Sequence, residues 1–484
     1  MNIVDLEPRI VWRFFHEVTQ VPRPSRKEEK IIAFLENFAG KFHLEYKKDA
    51  VGNILMLKPA TAGCEAYPTI ILQSHVDMVC EKNAGKSFDF ENDPIETIID
   101  GEWLKANGTT LGADNGIGVA AQLAVLASDD IVHGPLECLF TVDEETGLTG
   151  AQALQSGFLQ GKILLNLDSE DEGEIFIGCA GGMSTKIRFD YKAEQTDTSR
   201  NFFRISVKGL KGGHSGGDIH LGLGNANKIL ARFILQTMNK MDTALASFNG
   251  GNLHNAIPRE ASAVIGTLSD KKEDVRVVLN HFIAQIEQEL KNTDKGVSIE
   301  MESVPAPSSC IDRSAATRLI HALNACPHGV ISMSSDIDGL VETSTNLASV
   351  KTDQGAITIV TSQRSSVESR KEDIAGQIRS LFTLAGAVVE QSEGYPGWTP
   401  NTNSPILRAA IASYLKLFGK EPKIKAIHAG LECGLFLEKY PWLDMISFGP
   451  TLRNVHSPDE KILIPTVALW WQHLLGLLKE CNNM

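Results

Sequence analysis

Five short segments place imidazole and carboxylate side chains at or near the ends of apolar runs. They are Ser74-His75-Val76-Asp77, Gly112-Ala113-Asp114-Asn115-Gly116, Asp143-Glu144-Glu145-Thr146-Gly147, Asn166-Leu167-Asp168 and Asn454-Val455-His456-Ser457. Together they offer two imidazoles and several carboxylates, a donor set suited to zinc, manganese or cobalt. A pair of such ions activates water and polarises a carbonyl at neutral pH, so the pattern points to hydrolysis. His75 and Asp77 are two residues apart at a strand end, and the period of a strand puts both on one face. Asp77 can then hold the second ring nitrogen of a metal-binding His75. Asp114, between glycines at a helix opening, reads alone as an N-cap; beside other ligands, its two oxygens suit a bridge between two ions. Glu144 and Glu145 would point apart on an extended chain, so a turn must gather them, and like charges side by side call for a cation. One of them would ligate while the other works as a base. Asp168 alone could belong to a solvated acidic loop, and His456 alone to an ordinary one. The joint order of all these residues carries the signal.

The elements that position them follow from periodicity. Arg9, Arg13 and Glu17 among apolar residues predict an amphipathic first helix, broken at Val21-Pro22-Arg23-Pro24-Ser25. Apolar runs at Ile54–Leu57, Thr69–Leu72, Glu137–Val142 and Ile163–Leu167, with a helical stretch over roughly 116–127, indicate an α/β layer with a largely buried, mostly parallel sheet. Ligands in such folds gather at the carboxyl ends of strands. From about residue 200 to 395 the pattern becomes strand, helix, strand, strand, helix, strand, and then something similar again, which predicts an α+β insertion with a pseudo-repeat. Helices near 404–417 and 465–480 flank His456, which must return to the front half to complete the site. The expected partition is therefore 1–187 with 398–484 as a di-metal catalytic domain, and 188–397 as the insertion.

Composition narrows the class. The 484 residues are 43% hydrophobic and 22% charged, ordinary for a globular protein large enough for two domains. A net charge of −14 argues against a nucleic-acid partner, because phosphate neutralisation needs a basic surface. The first residues lack a signal-peptide pattern, and no apolar stretch is long enough to span a membrane. Eight scattered cysteines without a CxxC pair fit reduced thiols, so a cytoplasmic location without a membrane partner is expected.

His75-x-Asp77, Gly112–Gly116, Glu144-Glu145-Thr146-Gly147, Asp168 and His456 resemble the co-catalytic zinc peptidases, which include carnosine dipeptidases, aminoacylases and glutamate carboxypeptidases. Ser74–Val79, Leu111–Gly118 and His428-Ala429-Gly430-Leu431-Glu432-Cys433-Gly434 are similar in finer detail to the aminoacyl-histidine dipeptidases, over essentially the whole chain. That resemblance implies two divalent ions, zinc first, with cobalt or manganese as alternatives. One would take His75, Asp168 and an oxygen of Asp114; the other Glu145, His456 and the second oxygen of Asp114. Glu144 would be the general base and Asp77 the orienter of His75. The insertion would be a lid. In it, His214 of Gly212-Gly213-His214-Ser215-Gly216-Gly217 would approach the scissile carbonyl oxygen, and Asn255 of His254-Asn255-Ala256-Ile257-Pro258 would touch substrate. Arg364 would clamp a substrate carboxylate, against the competing reading of a surface arginine. The chain departs from many relatives in one respect: the strand ending Gly266-Thr267-Leu268-Ser269 has no arginine, and Arg364 lies in the second half of an enlarged lid. The resemblance leaves open which subunit supplies His214, and with it a homodimer.

The expected activity is hydrolysis of dipeptides, Xaa-His substrates such as β-alanyl-histidine included, by a metal-bridging water with Glu144 as base. The alternatives are an aminoacylase or carboxypeptidase-like amidohydrolase of the same superfamily, and a non-catalytic metal-binding interaction protein.

Overall fold

A computed structural model describes residues 2–481 and divides the chain into two compact units. The first gathers the chain up to Gly178, then Pro400–Ala426, and the chain from Leu431 onward. The second comprises Cys179–Thr399 with Ile427–Gly430.

The first unit is built on an eight-stranded sheet in the order Glu45–Lys48, Ile54–Lys58, Leu136–Thr141, Ile70–His75, Ile163–Asn166, Asp444–Ser447, Glu174–Cys179, Lys423–Ile427. Its four central strands, Leu136–Thr141 through Asp444–Ser447, run parallel, and antiparallel pairs flank them. The central strands read as continuous apolar runs because both faces are covered: every residue of Ile70–His75, Leu136–Thr141 and Ile163–Asn166 is buried. The helix Ala113–Ala127 packs on the strand Ile70–His75 and on the first helix, Arg9–Thr19. That first helix buries one stripe, Val11, Trp12, Phe14, Phe15 and Val18, and exposes its charges. The helices Pro405–Phe418 and Ile464–Glu480 pack on each other. Among the described residues, no helix is long and apolar enough to cross a membrane.

The second unit is an antiparallel sheet with helices. Its main path runs Ser298–Val304, Arg200–Lys208, Ala261–Leu268, Thr243–Gly250, Val341–Asp353, Ala356–Ser365, Gly181–Asp190, Val388–Gln391. The halves of this path mirror each other about the Thr243–Gly250/Val341–Asp353 joint, where Gly250 pairs with Val350 and Thr352 bonds to Phe248 and Asn249. In chain order each half is strand, helix, strand, strand, helix, strand. The second half takes its first strand, Gly181–Asp190, from ahead of the first half. That strand pairs with Ala356–Ser365 along its whole length, which is why this unit starts before residue 188. One apolar core, including Phe203, Phe233, Phe248, Phe282, Leu319 and Phe382, underlies both halves.

Candidate metal centre

Parallel strands bring their carboxyl ends to one edge of the sheet, and that edge is where the expected ligands fall. His75 is the last residue of its strand and lies opposite Thr141. Three residues beyond Thr141 the chain enters the one-turn helix Glu144–Gly147, through Asp143 in a left-handed conformation (φ 49°). Asp168 lies two residues past Asn166, and His456 follows the fourth parallel strand. Asp114 comes from the loop that opens the helix Ala113–Ala127; there it and Asn115 leave helical geometry, and their shared peptide is cis. His456 itself has φ 62° and Asn454 φ 57°, a strained backbone of the kind that clusters at functional sites.

Asp114 is the hub. Its Oδ1 lies 3.1 Å from His75 Nε2, and its Oδ2 lies 3.2 Å from His456 Nε2. His75 Nε2 is also 3.3 Å from Asp168 Oδ1, and His456 Nε2 is 3.0 Å from Glu145 Oε2. The five expected ligands thus fall into two groups sharing one carboxylate. Donor atoms about 2.1 Å from a tetrahedral ion lie roughly 3.4 Å apart, so the observed spacings approach the edges of two coordination shells. His75, Asp114 and Glu145 have ligating atoms within 4.8 Å of one another. Glu145 Oε1 is buried with no hydrogen-bond partner among the described residues. Two imidazoles, three carboxylates and no thiolate form a set that zinc, cobalt and manganese accept. The residues fit a metal pair.

The electrostatics agree. Hydrogen bonds to Asp114 and Glu145 push His456 up to about 11. Burial would lower the pKa of His75, but the charge of Asp168 and hydrogen bonds to Asp114, Asp168 and Asp77 outweigh it and hold the ring well above its usual value. Burial raises Asp168 to about 6 despite His75 beside it. The surrounding carboxylates therefore demand positive charge, which protonated imidazoles or bound cations can supply. Glu144 is raised well above the usual carboxylate range, by burial first and then by the charges of Asp168, Glu145 and Glu432, partly offset by His75. A carboxylate so raised holds a proton more readily than a free one, as a group that must take and return a proton requires.

Asp77 sits behind this set, fully buried. Its Oδ1 faces His75 Nδ1 at 3.3 Å and accepts the N–H of Glu144 at 3.0 Å. Its Oδ2 accepts the N–H of Glu145 at 3.2 Å and the hydroxyl of Ser25 at 2.8 Å. One carboxylate thus turns Nε2 of His75 toward Asp114 and caps the turn bearing both glutamates.

Sequence reasoning missed several supporting residues. Asn115 Nδ2 donates to Asp168 Oδ1, and Asn115 Oδ1 accepts the N–H of Gly118. A side chain on Gly118 would collide with that amide, its Cβ only 2.0 Å from Asn115 Oδ1. Buried Glu432 accepts from Gln73 Nε2 at 2.6 Å and Thr141 Oγ1 at 2.8 Å, and Asn166 Nδ2 donates to Gln73 Oε1 at 2.5 Å. This chain of bonds links the ends of three ligand-bearing strands. The only sequence signal for it was the 428–434 motif.

The expected lid residues all lie in the second unit. The two lid motifs pair as a short ribbon, Gly213 with Ile257 and His214 with Ala256, and the Asn255 carbonyl accepts the N–H of Ser215 at 2.8 Å. His214 Nδ1 accepts the N–H groups of Gly216 at 3.3 Å and Gly217 at 3.1 Å, so the neutral ring carries its proton on Nε2 as a donor. Burial, then the charge of Arg364, lower the pKa of His214 and keep it neutral. Arg364 is not a surface arginine. It is 7% exposed, donates Nη1–H to Tyr395 Oη at 2.9 Å, and has a buried Nε without a partner among the described residues.

Residues 71–479 match the model of peptidase family M20/M25/M40. The chain belongs to that family. It is a metallopeptidase. The cytosol non-specific dipeptidase of Escherichia coli is 45% identical over 479 residues, covering 99% of each chain. The crystal structure of the aminoacylhistidine dipeptidase from Vibrio alginolyticus superposes with a TM-score of 0.92 at 43% identity, covering 99% of this chain and 98% of that one. The aminopeptidase PepT of Bacillus cereus shares the fold alone, with a TM-score of 0.58 at 17% identity, covering 98% of this chain and 99% of that one.

Proposed function

We propose that this M20 peptidase hydrolyses dipeptides, Xaa-His substrates among them, at two divalent ions held about Asp114. The observation that carries the proposal is the paired approach of His75 Nε2 and His456 Nε2 to opposite oxygens of one carboxylate, at 3.1 and 3.2 Å. His75, Asp168 and Asp114 would hold one ion, and Glu145, His456 and Asp114 the other, zinc being the first candidate. Two such ions, when bound, supply water activation and carbonyl polarisation.

The chain's own residues do the rest. Glu144 takes a proton from the attacking water and later returns it to the leaving amine nitrogen. Asp77 holds the backbone of Glu144 and the ring of His75 in register for that transfer. His214 offers Nε2–H to the oxyanion that develops on the scissile carbonyl. Arg364 reads the substrate carboxylate through its unsatisfied guanidinium edge, and Asn255 contributes a polar contact to the substrate backbone. Reading a free carboxylate selects short peptides over proteins.

The names of the two relatives above 40% identity support the substrate class: one is a non-specific dipeptidase of the cytosol, the other an aminoacylhistidine dipeptidase. The cytoplasm is the matching location for this chain. The test is an assay of metal-reconstituted protein against X-His, X-Gly and N-acetylated substrates. Release of free amino acids from X-His and X-Gly, abolished by chelation and restored by zinc, is the expected result. A preference for the N-acetylated substrates would replace the dipeptidase reading with an aminoacylase.

A further inference from the structure

The loop that carries Asp114 is gripped from two sides by buried charges that the proposed hydrolysis does not use. Arg23 is 1% exposed and Glu460 is 2% exposed. Glu460 Oε2 accepts the N–H groups of Leu111 at 2.7 Å and Gly112 at 2.9 Å. Its Oε1 accepts those of Ala113 at 2.7 Å and Asp114 at 3.3 Å. From the other side, Arg23 Nη1 donates to the carbonyls of Val76 and Asp77, both at 2.9 Å, and Nη2 donates to the carbonyl of Gly112.

Each contact joins segments far apart in the chain. Glu460 stands four residues after His456, so its carboxylate ties the backbone of Asp114 to the loop bearing His456. Arg23 stands two residues before Ser25, itself bonded to Asp77, and ties the same backbone to the turn after His75. The glycines of the 112–116 motif now have a physical reason. A Cβ on Gly112 would lie 2.5 Å from Arg23 Nη2, and one on Gly116 would lie 2.6 Å from the same atom. Gly112 also needs its positive φ of 69°. These glycines make room for a guanidinium.

Burying a carboxylate and a guanidinium is costly unless their hydrogen-bonding capacity is met. Here four amides meet the carboxylate, and three carbonyls take three of the guanidinium's five N–H groups. All seven groups belong to the two segments Val76–Asp77 and Leu111–Asp114, which flank or include metal-binding side chains. We propose that Arg23 and Glu460 are positioning residues for the metal pair, fixing Asp114 between His75 and His456. The inference rests on the proposed metal site.

The test is metal binding by Glu460→Gln and Arg23→Lys, compared with the wild type. An amide in place of Glu460 has one accepting atom, so whichever way it turns, two of the four N–H groups lose their acceptor. Lysine keeps the charge of Arg23 but cannot fork across three carbonyls. Competition titration of zinc against a chromophoric chelator should show affinity lower by about 10- to 100-fold in each variant. The visible absorption spectrum of the cobalt-loaded protein, which reports ligand geometry, should change in shape. A merely structural role would lower the melting temperature while leaving zinc affinity and the cobalt spectrum at wild-type values, and that result would overturn the proposal. Arg23→Lys carries the test alone if Glu460→Gln does not fold. A wild type that binds no metal in the same titration would instead overturn the site on which the proposal rests.

Discussion

Asp77→Asn changes one oxygen and tests how the site is held. The carboxylate of Asp77 serves four partners: His75 Nδ1 at 3.3 Å and the Glu144 N–H at 3.0 Å on Oδ1, the Glu145 N–H at 3.2 Å and the Ser25 hydroxyl at 2.8 Å on Oδ2. Asparagine keeps one acceptor. Its amide nitrogen is best placed at the Oδ2 position, because the Ser25 hydroxyl can rotate to accept while the Glu145 N–H cannot. One backbone N–H is then stranded in a buried site, at a cost of about 1–3 kcal/mol. For a domain of this size that lowers the melting temperature of the metal-free protein by roughly 2–4 °C per kcal/mol. The metal-binding cost is separate. His75 loses the charge behind its ring and Glu145 loses its backbone anchor, and disturbed support of this kind costs about 10- to 100-fold in metal affinity. Glu144 keeps its own anchor, so turnover at saturating zinc should fall less than zinc affinity does. The assay is chelator competition for zinc, with kcat measured across zinc concentrations. Zinc affinity within about threefold of wild type would refute the account of Asp77.

Glu144→Gln should keep both metals and lose about 10²- to 10⁴-fold in kcat, whereas Glu145→Gln should lose metal first; paired metal analysis and single-turnover kinetics separate the two. Arg364→Ala should lose the wild-type preference for free dipeptides over dipeptide amides, with Arg364→Lys rescuing only part of it; an unchanged preference ratio would move the carboxylate reader elsewhere. Burial lowers His473 from about 6.5 to about 4, while its Nε2 stays 3.1 Å from the Ala410 carbonyl. Between those values the unfolded chain takes a proton that the folded chain refuses, so stability should fall as pH drops from 6.5 toward 4, by up to about 3 kcal/mol from this group. Denaturant titrations at pH 7 and pH 5 should show a smaller drop for His473→Gln.

What could be read from the sequence was what depends on short-range pattern. Apolar runs located the strands ending at His75, Thr141 and Asn166, because strands buried on both faces have no polar alternation to obscure them. His75, Glu145 and Asp168 were visible because each follows such a run, whereas Asp114 opens a helix and His456 sits in a loop, so those two were read from the joint pattern. The strand Gly181–Asp190 was not, since its partner Ala356–Ser365 lies more than 160 residues away and alternating burial makes it look like a surface segment. Arg23 read only as part of a proline-flanked break, and nothing in the sequence singled out Glu460. Their roles arise from backbone groups they meet across the fold, which leave no trace in residue type or spacing. Arg364 was open between clamp and surface for the same reason, until the strand pairing buried it opposite Ser344 and Gly182.

The central claim is that Asp114 is shared by two ions, one with His75 and Asp168, the other with Glu145 and His456. Anomalous diffraction from crystals of the zinc-loaded protein, collected on both sides of the zinc edge, tests it most directly. Two anomalous peaks should flank the Asp114 carboxylate, one beside each imidazole Nε2. A single peak in protein of full activity, or peaks at the adjoining buried acidic group Glu28, Asp77 and Asp143 instead, would contradict it.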